Sequence, residues 1–274
     1  MSPSDRPESP PLIVGHRGAS ADAPENTLFA FRLALDQGAD GVEFDVRLAR
    51  DGVPVVVHDA TLGRTARLDA RVDSLTSGEL RRLDACSWFA PRRGGHTVHA
   101  AREGVPTLGE TLALVGPRSR VVYVELKPEP EEDHAALVAA AVGEIRRHGL
   151  EGSAVVKCFR HETLGEVKRL AANIRTAALF ERTLARPFVS PAAFVEAALA
   201  CGAEEVSLHR SLLRPAVVRA ARARGLDTLV WTIDTPTALR RAAAAGAAVV
   251  FTNRPGRLRA ALESLPAGAA AAQP

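Results

Sequence analysis

The chain has 274 residues, enough for one large domain with a substantial core or for two small ones. A net charge of only +3, with both signs scattered, and 4% aromatic residues argue against a nucleic-acid surface or a base-stacking platform. Three cysteines (Cys86, Cys158, Cys201) are odd in number and lack ligand spacing, which speaks for free thiols in a reducing compartment.

Residues 1–10 and 266–274 read as disordered tails around a domain spanning 11–265. The first segment lacks the apolar stretch of a signal peptide, and no apolar run approaches the roughly 18 residues of a spanning helix. The expectation is a cytoplasmic protein. Leu12–Gly15 is a short apolar strand. Pro24-Glu25-Asn26-Thr27 then forms a turn with Asn26 as candidate N-cap, and Leu28, Phe31 and Leu35 mark one helical face. Gly38 closes that helix, and the same phrase of helix, glycine and β-branched strand recurs at Gly149, Gly202, Gly225 and Gly246.

The next stretch is unusually dense in chemistry. Gly41 to Arg50 and Val53 to Asp59 flank Asp51-Gly52, a strong hairpin signal. A two-residue turn there makes facing positions sum to 103, so Asp45 faces His58. Glu43 and Asp45 point to one face, about 7 Å apart, while Val42, Phe44 and Val46 make the other face apolar. Residues 60–107 fit neither a strand nor one helix and read as an insertion over the mouth of the fold. Within it, Trp88-Phe89 either packs the insertion down or touches a substrate. His96 and His99 lack partners at zinc-ligand spacing and read as loop histidines.

Further parallel strands are placed at Val121–Leu126, Ala154–Cys158, Thr176–Phe180, Glu205–Leu208, Thr228–Trp231 and Val249–Thr252. With the first two that makes eight, the closing number of a (β/α)8 TIM barrel. A doubly wound open sheet is the rival. The barrel is preferred because polar residues follow several strands, whereas an open sheet concentrates its site at one switch point.

In a barrel the C-terminal strand ends share one face. They gather His16, Arg17, Glu43, Asp45, Glu125, Lys127 and Trp231, and His58 arrives from the hairpin. Three carboxylates without a thiolate suit one hard divalent cation, Mg²⁺ or Ca²⁺. The alternative is structural pairing of Glu125 with Lys127 and of Glu43 with Arg17, which leaves the acidic cluster costly. Arg17 and Lys127 beside a metal suit a phosphate group, and two histidines supply a proton donor and an acceptor. The implied chemistry is metal-assisted phosphodiester cleavage.

These residues form a recognisable series. His16-Arg17-Gly18, Pro24-Glu25-Asn26-Thr27, Glu43-Phe44-Asp45-Val46, Val57-His58-Asp59, Glu125-Leu126-Lys127 and Trp231-Thr232 together resemble the glycerophosphodiester phosphodiesterases. The resemblance implies a TIM barrel with a small insertion after the hairpin. It also implies hydrolysis of a small glycerophosphodiester to sn-glycerol 3-phosphate and an alcohol. Glu43, Asp45 and Glu125 then correspond to metal ligands, His16 and His58 to the acid–base pair, and Arg17, Lys127 and Trp231 to substrate contacts. Glu25 corresponds to an orienting residue beside the metal, with Asn26 in support. Three positions depart from the usual pattern: Cys158 for serine, Asp234 for asparagine and Asn253 for aspartate. A lysophospholipase D-like or cyclic-phosphate-forming enzyme on the same fold is the first alternative, and a non-catalytic binder the second. Head-group preference is not fixed by these residues, and a homodimer is left open.

Overall fold

The fold alternates strand and helix around a closed sheet. The computed structural model describes residues 10–89, 102–129, 134–182 and 190–264. The tails expected to be disordered, and His96 and His99, lie outside the described residues save for Pro10. Strands β1 (Leu12–His16), β2 (Gly41–Leu48), β4 (Val121–Leu126), β5 (Ala154–Cys158), β6 (Arg175–Phe180), β7 (Glu205–His209), β8 (Asp227–Trp231) and β9 (Val249–Thr252) pair in parallel. β1 pairs with both β9 and β2, so these eight strands close into a barrel. The short strand β3 (Pro54–Val56) adds antiparallel to the far end of β2. The barrel prediction is correct, and the open sheet is excluded by the β1–β2 pairing.

Alternation along each strand divides the molecule into layers. Val42, Phe44 and Val46 of β2 face outward with Val122, Val124 and Leu126 of β4. They pack against Phe31 and Leu35 of α1 (Leu28–Asp36) and Leu108 and Leu112 of a later helix, Leu108–Val115. Inside the barrel, Val14, Tyr123, Val155, Leu229 and Phe251 fill the floor. The inward positions become polar toward the C-terminal ends. Val14 is followed by His16, Tyr123 by Glu125, Val155 by Lys157 and Phe251 by Asn253. The sequence thus builds an apolar plug below and a charged mouth above.

Two local expectations are corrected. The hairpin register pairs Val46 with Val56 and Arg47 with Val55, a sum of 102 instead of 103. The turn is a three-residue loop, Arg50-Asp51-Gly52, closed by bonds from the Ala49 amide to the Val53 carbonyl and from the Gly52 amide to the Ala49 carbonyl, at 3.0 and 2.9 Å. Gly52 at φ +76° takes the left-handed position that a type I turn with a bulge requires. Asp45 therefore faces Val57, whose amide donates to the Asp45 carbonyl at 3.0 Å. The N-cap of α1 is Thr27, whose hydroxyl accepts from the Ala30 amide at 3.1 Å, and not Asn26. Asn26 instead turns through φ +58° and sends its amide to Asp45.

Among its described residues the insertion carries two single-turn α-helices, α2 (Gly63–Ala66) and α3 (Ser77–Leu80). A separate cluster of Ala49, Val55, Val57, Leu62, Val72, Leu80, Ala85 and Val105 fixes it to the hairpin. Trp88 packs inside it: its indole donates to the Ala85 carbonyl at 2.8 Å, and its ring meets Phe89 edge-on at 5.8 Å.

Candidate active site

Glu43, Asp45 and Glu125 come together at the mouth, with one oxygen of each within 4.8 Å of the others. The pairing of β2 with β4 sets Asp45 beside Glu125, and alternation adds Glu43 one step below. All three are buried. Three compact anions need compensation, and two lysines give part of it. Lys127 contacts both Glu125 and Asp45 (3.3 Å to the latter), and Lys157 lies 3.0 Å from Glu43 and 3.3 Å from Glu125. Arg17 adds a contact of 3.1 Å to Asp45. Burial pushes the Glu43 and Asp45 carboxyls up, but the cations outweigh it and hold both well below their usual range, Lys157 foremost at Glu43 and Lys127 at Asp45. Both are ionised near neutral pH.

A cation fits this set. Glu43 Oε1, Asp45 Oδ1 and Glu125 Oε1 are buried without a partner in hydrogen-bonding geometry, although each faces an ammonium group at ion-pair range. Buried carboxylate oxygens with no directed hydrogen bond, gathered from three side chains, form the oxygen-only donor set that a hard divalent ion takes.

His16, Arg17, His58, Glu125, Lys127 and Trp231 line one cavity of about 140 Å³. Lys157, Phe159 and Glu181 complete its wall. The two histidines are held differently. His16 Nδ1 lies 2.8 Å from Asn253 Oδ1, and Asn253 Nδ2 in turn donates to Asp234 Oδ2 at 2.9 Å. Because the Asn253 amide nitrogen is engaged by a carboxylate, its oxygen must accept, so His16 carries its proton on Nδ1 and leaves Nε2 as an acceptor. Burial, partly offset by Glu43, pulls the His16 pKa down and keeps the ring neutral. His58 Nδ1 instead meets a carboxylate, Asp59 Oδ1, at 2.6 Å. His58 reaches the cavity from just beyond β3 because Arg47 Nε holds its carbonyl at 2.8 Å.

Glu25 accepts from Arg17 at 2.9 Å and stands at the edge of the site. The Asn26 side-chain amide donates to Asp45 at 2.9 Å, fixing a carboxylate that would otherwise swing. Trp231 forms the far wall, edge-on to Phe159 at 5.8 Å and to His209 at 5.1 Å.

Residues 16–257 match the model of the Glycerophosphoryl diester phosphodiesterase family. The chain belongs to that family. A glycerophosphodiester phosphodiesterase of Caldanaerobacter subterraneus is 31% identical over 252 residues, covering 89% of this chain and 94% of the relative. The structure of a glycerophosphodiester phosphodiesterase from Agrobacterium tumefaciens superposes with a TM-score of 0.73 at 31% identity, over 91% of this chain and 99% of that one. An Oleispira antarctica phosphodiesterase in complex with the product sn-glycerol-3-phosphate gives a TM-score of 0.79 at 28% identity, over 93% and 97%. This chain is accordingly a glycerophosphodiester phosphodiesterase with an acidic triad able to hold a metal.

Several residues of this phosphodiesterase site are absent from the sequence reading. Lys157 is the plainest: it is the last but one residue of β5, and alternation from Val155 already points it inward. Glu181 follows β6 and obeys the same strand-end rule. Asn253 stands out in sequence only as a departure from a pattern, yet it orients His16. Cys158, another departure, is buried with its thiol 3.3 Å from the Leu126 carbonyl, and burial pushes it up to about 12, so it is an inert packing group.

Proposed function

We propose that this chain hydrolyses glycerophosphodiesters to sn-glycerol 3-phosphate and an alcohol, with one Mg²⁺ or Ca²⁺ on Glu43, Asp45 and Glu125. The observation that carries the reading is one cavity lined by two differently held histidines, three cations and Glu125, with Glu43 and Asp45 within 4.8 Å of that carboxylate. The bound cation would neutralise charge on the phosphoryl oxygens. Arg17 and Lys127 hold the phosphate by charge-assisted bonds, with Lys157 behind them balancing the carboxylates.

The two ring environments divide the proton work. His16, neutral and with Nε2 free of its tautomer bond, accepts the proton of the attacking water. The water oxygen bonds to phosphorus and the bond to the alcohol oxygen breaks. His58, whose Nδ1 is engaged by Asp59 at 2.6 Å, presents Nε2 and donates the proton the departing alkoxide needs. Diester and water become phosphomonoester and alcohol, with the protons balanced.

The test is glycerol 3-phosphate release from choline, ethanolamine and glycerol diesters, before and after chelation and after adding back Mg²⁺ or Ca²⁺. Release that needs the ion supports the reading. Full turnover in a metal-stripped sample, or none on any diester with either ion, overturns it.

A further inference from the structure

Arg64 does not line the cavity, yet it joins the two groups that orient it. It sits on the four-residue helix α2 of the insertion, with two faces of its guanidinium in use. Nη1 and Nη2 bind the Glu25 carboxylate as a fork, at 3.0 Å to Oε2 and 2.7 Å to Oε1. Nε binds Asp59 Oδ2 at 2.6 Å. From there two arms reach inward. Asp59 Oδ1 meets His58 Nδ1 at 2.6 Å. Glu25 Oε1 meets Arg17 Nη1 at 2.9 Å, and Arg17 Nε lies 3.1 Å from Asp45.

Each link uses an atom its neighbour cannot spare. A carboxylate held through one oxygen still turns about its Cβ–Cγ or Cγ–Cδ bond, and its partner follows. Arg64 removes that freedom at both, at Asp59 by holding its second oxygen through Nε and at Glu25 by a planar fork that fixes direction as well as charge. The insertion holds the guanidinium itself, which lies 5.5 Å from the centre of the Trp88 ring.

We propose that Arg64 is a positioning residue for catalysis, setting the His58 ring through Asp59 and the Arg17 guanidinium through Glu25. The insertion then acts as a brace for both proton donor and phosphate clamp. A bland alternative is that Arg64 only pins the insertion to the barrel. In that case its loss lowers the folded fraction and touches kcat and KM without regard to which carboxylate is present. The brace makes a sharper demand: the kcat effect runs through Asp59 and the KM effect through Glu25.

This rests on the proposed proton-donor role of His58, so the experiment reads the ring directly as well as turnover. Arg64→Ala, Asp59→Asn, Glu25→Gln and the two double variants with Arg64→Ala are assayed on a glycerophosphodiester with added Mg²⁺. Removing an outer partner that orients an active group typically costs about 10–100-fold, and that is the fall expected in kcat for Arg64→Ala. In the Asp59→Asn background the same change should cost less than about threefold in kcat, and in the Glu25→Gln background its effect on KM should vanish. Arg64→Lys, a gentler variant that keeps the charge but not the fork, should recover only part of kcat. Ring ¹⁵N spectra taken at a pH where His58 is neutral should show its one proton on Nδ1 in the native protein and shared between tautomers in Arg64→Ala. Native kcat in Arg64→Ala, full additivity with both carboxylate variants, or an unmoved His58 resonance would overturn the brace. If His58→Ala keeps full turnover, the proton-donor reading fails, and the ¹⁵N spectra alone then decide whether Arg64 sets the ring.

Discussion

Asn253 presents its amide oxygen to His16 Nδ1 at 2.8 Å while its amide nitrogen is taken by Asp234 at 2.9 Å. The charge of this relay therefore sits one residue away from the imidazole. A neutral oxygen fixes the tautomer as firmly as a carboxylate but stabilises the imidazolium much less. Asp234 and Asn253, two of the three positions that depart from the pattern the resemblance implies, are in contact, and together they keep one amide and one carboxylate in the pair.

Exchanging the two should retune the base without removing it. In Asp234→Asn/Asn253→Asp the carboxylate meets Nδ1 directly, which favours the protonated ring and raises the His16 pKa. A base must be unprotonated to act, so the acidic limb of the kcat/KM profile should move up by about one pH unit. An unmoved limb with an intact fold would show that His16 is not the base.

A second expectation concerns the triad without its ion. The three carboxylates converge only in the folded chain, so ion binding should stabilise the fold by mass action, by about 2.7 kcal/mol when the ion is at a hundred times its Kd. Mg²⁺ or Ca²⁺ should raise Tm in the native chain and much less in Glu43→Gln/Asp45→Asn. Equal shifts in both proteins would place the binding elsewhere.

The barrel was legible because its rule is simple: inward positions turn from apolar to polar along several strands, and glycine closes five of the helices. Gly38, Gly149, Gly202, Gly225 and Gly246 all take positive φ. The triad was legible for the same reason, since Glu43, Asp45 and Glu125 obey strict alternation. What escaped depends on geometry between loops. Arg64 meets both Asp59 and Glu25 only because the insertion folds back, and periodicity carries no trace of that. The hairpin register escaped through its turn, since Asp-Gly suits a two-residue turn and a bulged three-residue one equally well.

A third expectation lies on the barrel floor. Glu205 is buried beside Arg175 at 3.0 Å, yet burial outweighs that contact and pushes its pKa up from 4.5 to about 7. A carboxyl raised on folding binds more protons in the folded state, so its contribution to stability is fully present below about pH 4.5. It is lost as pH rises toward 7. Relative to Glu205→Gln, the native chain should lose roughly 3 kcal/mol between pH 4.5 and pH 8. Parallel denaturation curves for the two proteins across that range would show that Glu205 keeps an ordinary pKa.

The last expectation separates the hairpin turn from the buried arginine as the device that places His58. Gly52 is exposed, with nothing within 4 Å of an added Cβ, so Gly52→Ala meets only the backbone cost of positive φ, about 1 kcal/mol. The turn lies at the far end of β3 from His58, and the pairs between Val46 and Val56 and between Arg47 and Val55 hold the ladder in place. Arg47 acts where it counts. It is buried, its Nε holds the His58 carbonyl at 2.8 Å, and its Nη1 holds the Lys127 carbonyl at 3.1 Å and Glu129 at 2.7 Å. It therefore ties His58, the proposed proton donor, to the segment bearing Lys127, the proposed phosphate contact. Arg47→Met keeps the apolar stem but frees both carbonyls, and misplacing a reacting group by about 1 Å costs on the order of a hundredfold in rate. Gly52→Ala should lower Tm and leave kcat within about twofold, whereas Arg47→Met should cut kcat far more than its loss of Tm explains. The measurement is kcat and thermal unfolding for both variants at saturating Mg²⁺. A Gly52→Ala protein that is folded but slow would return the placement of His58 to the turn, and a fast Arg47→Met protein would remove it from the arginine.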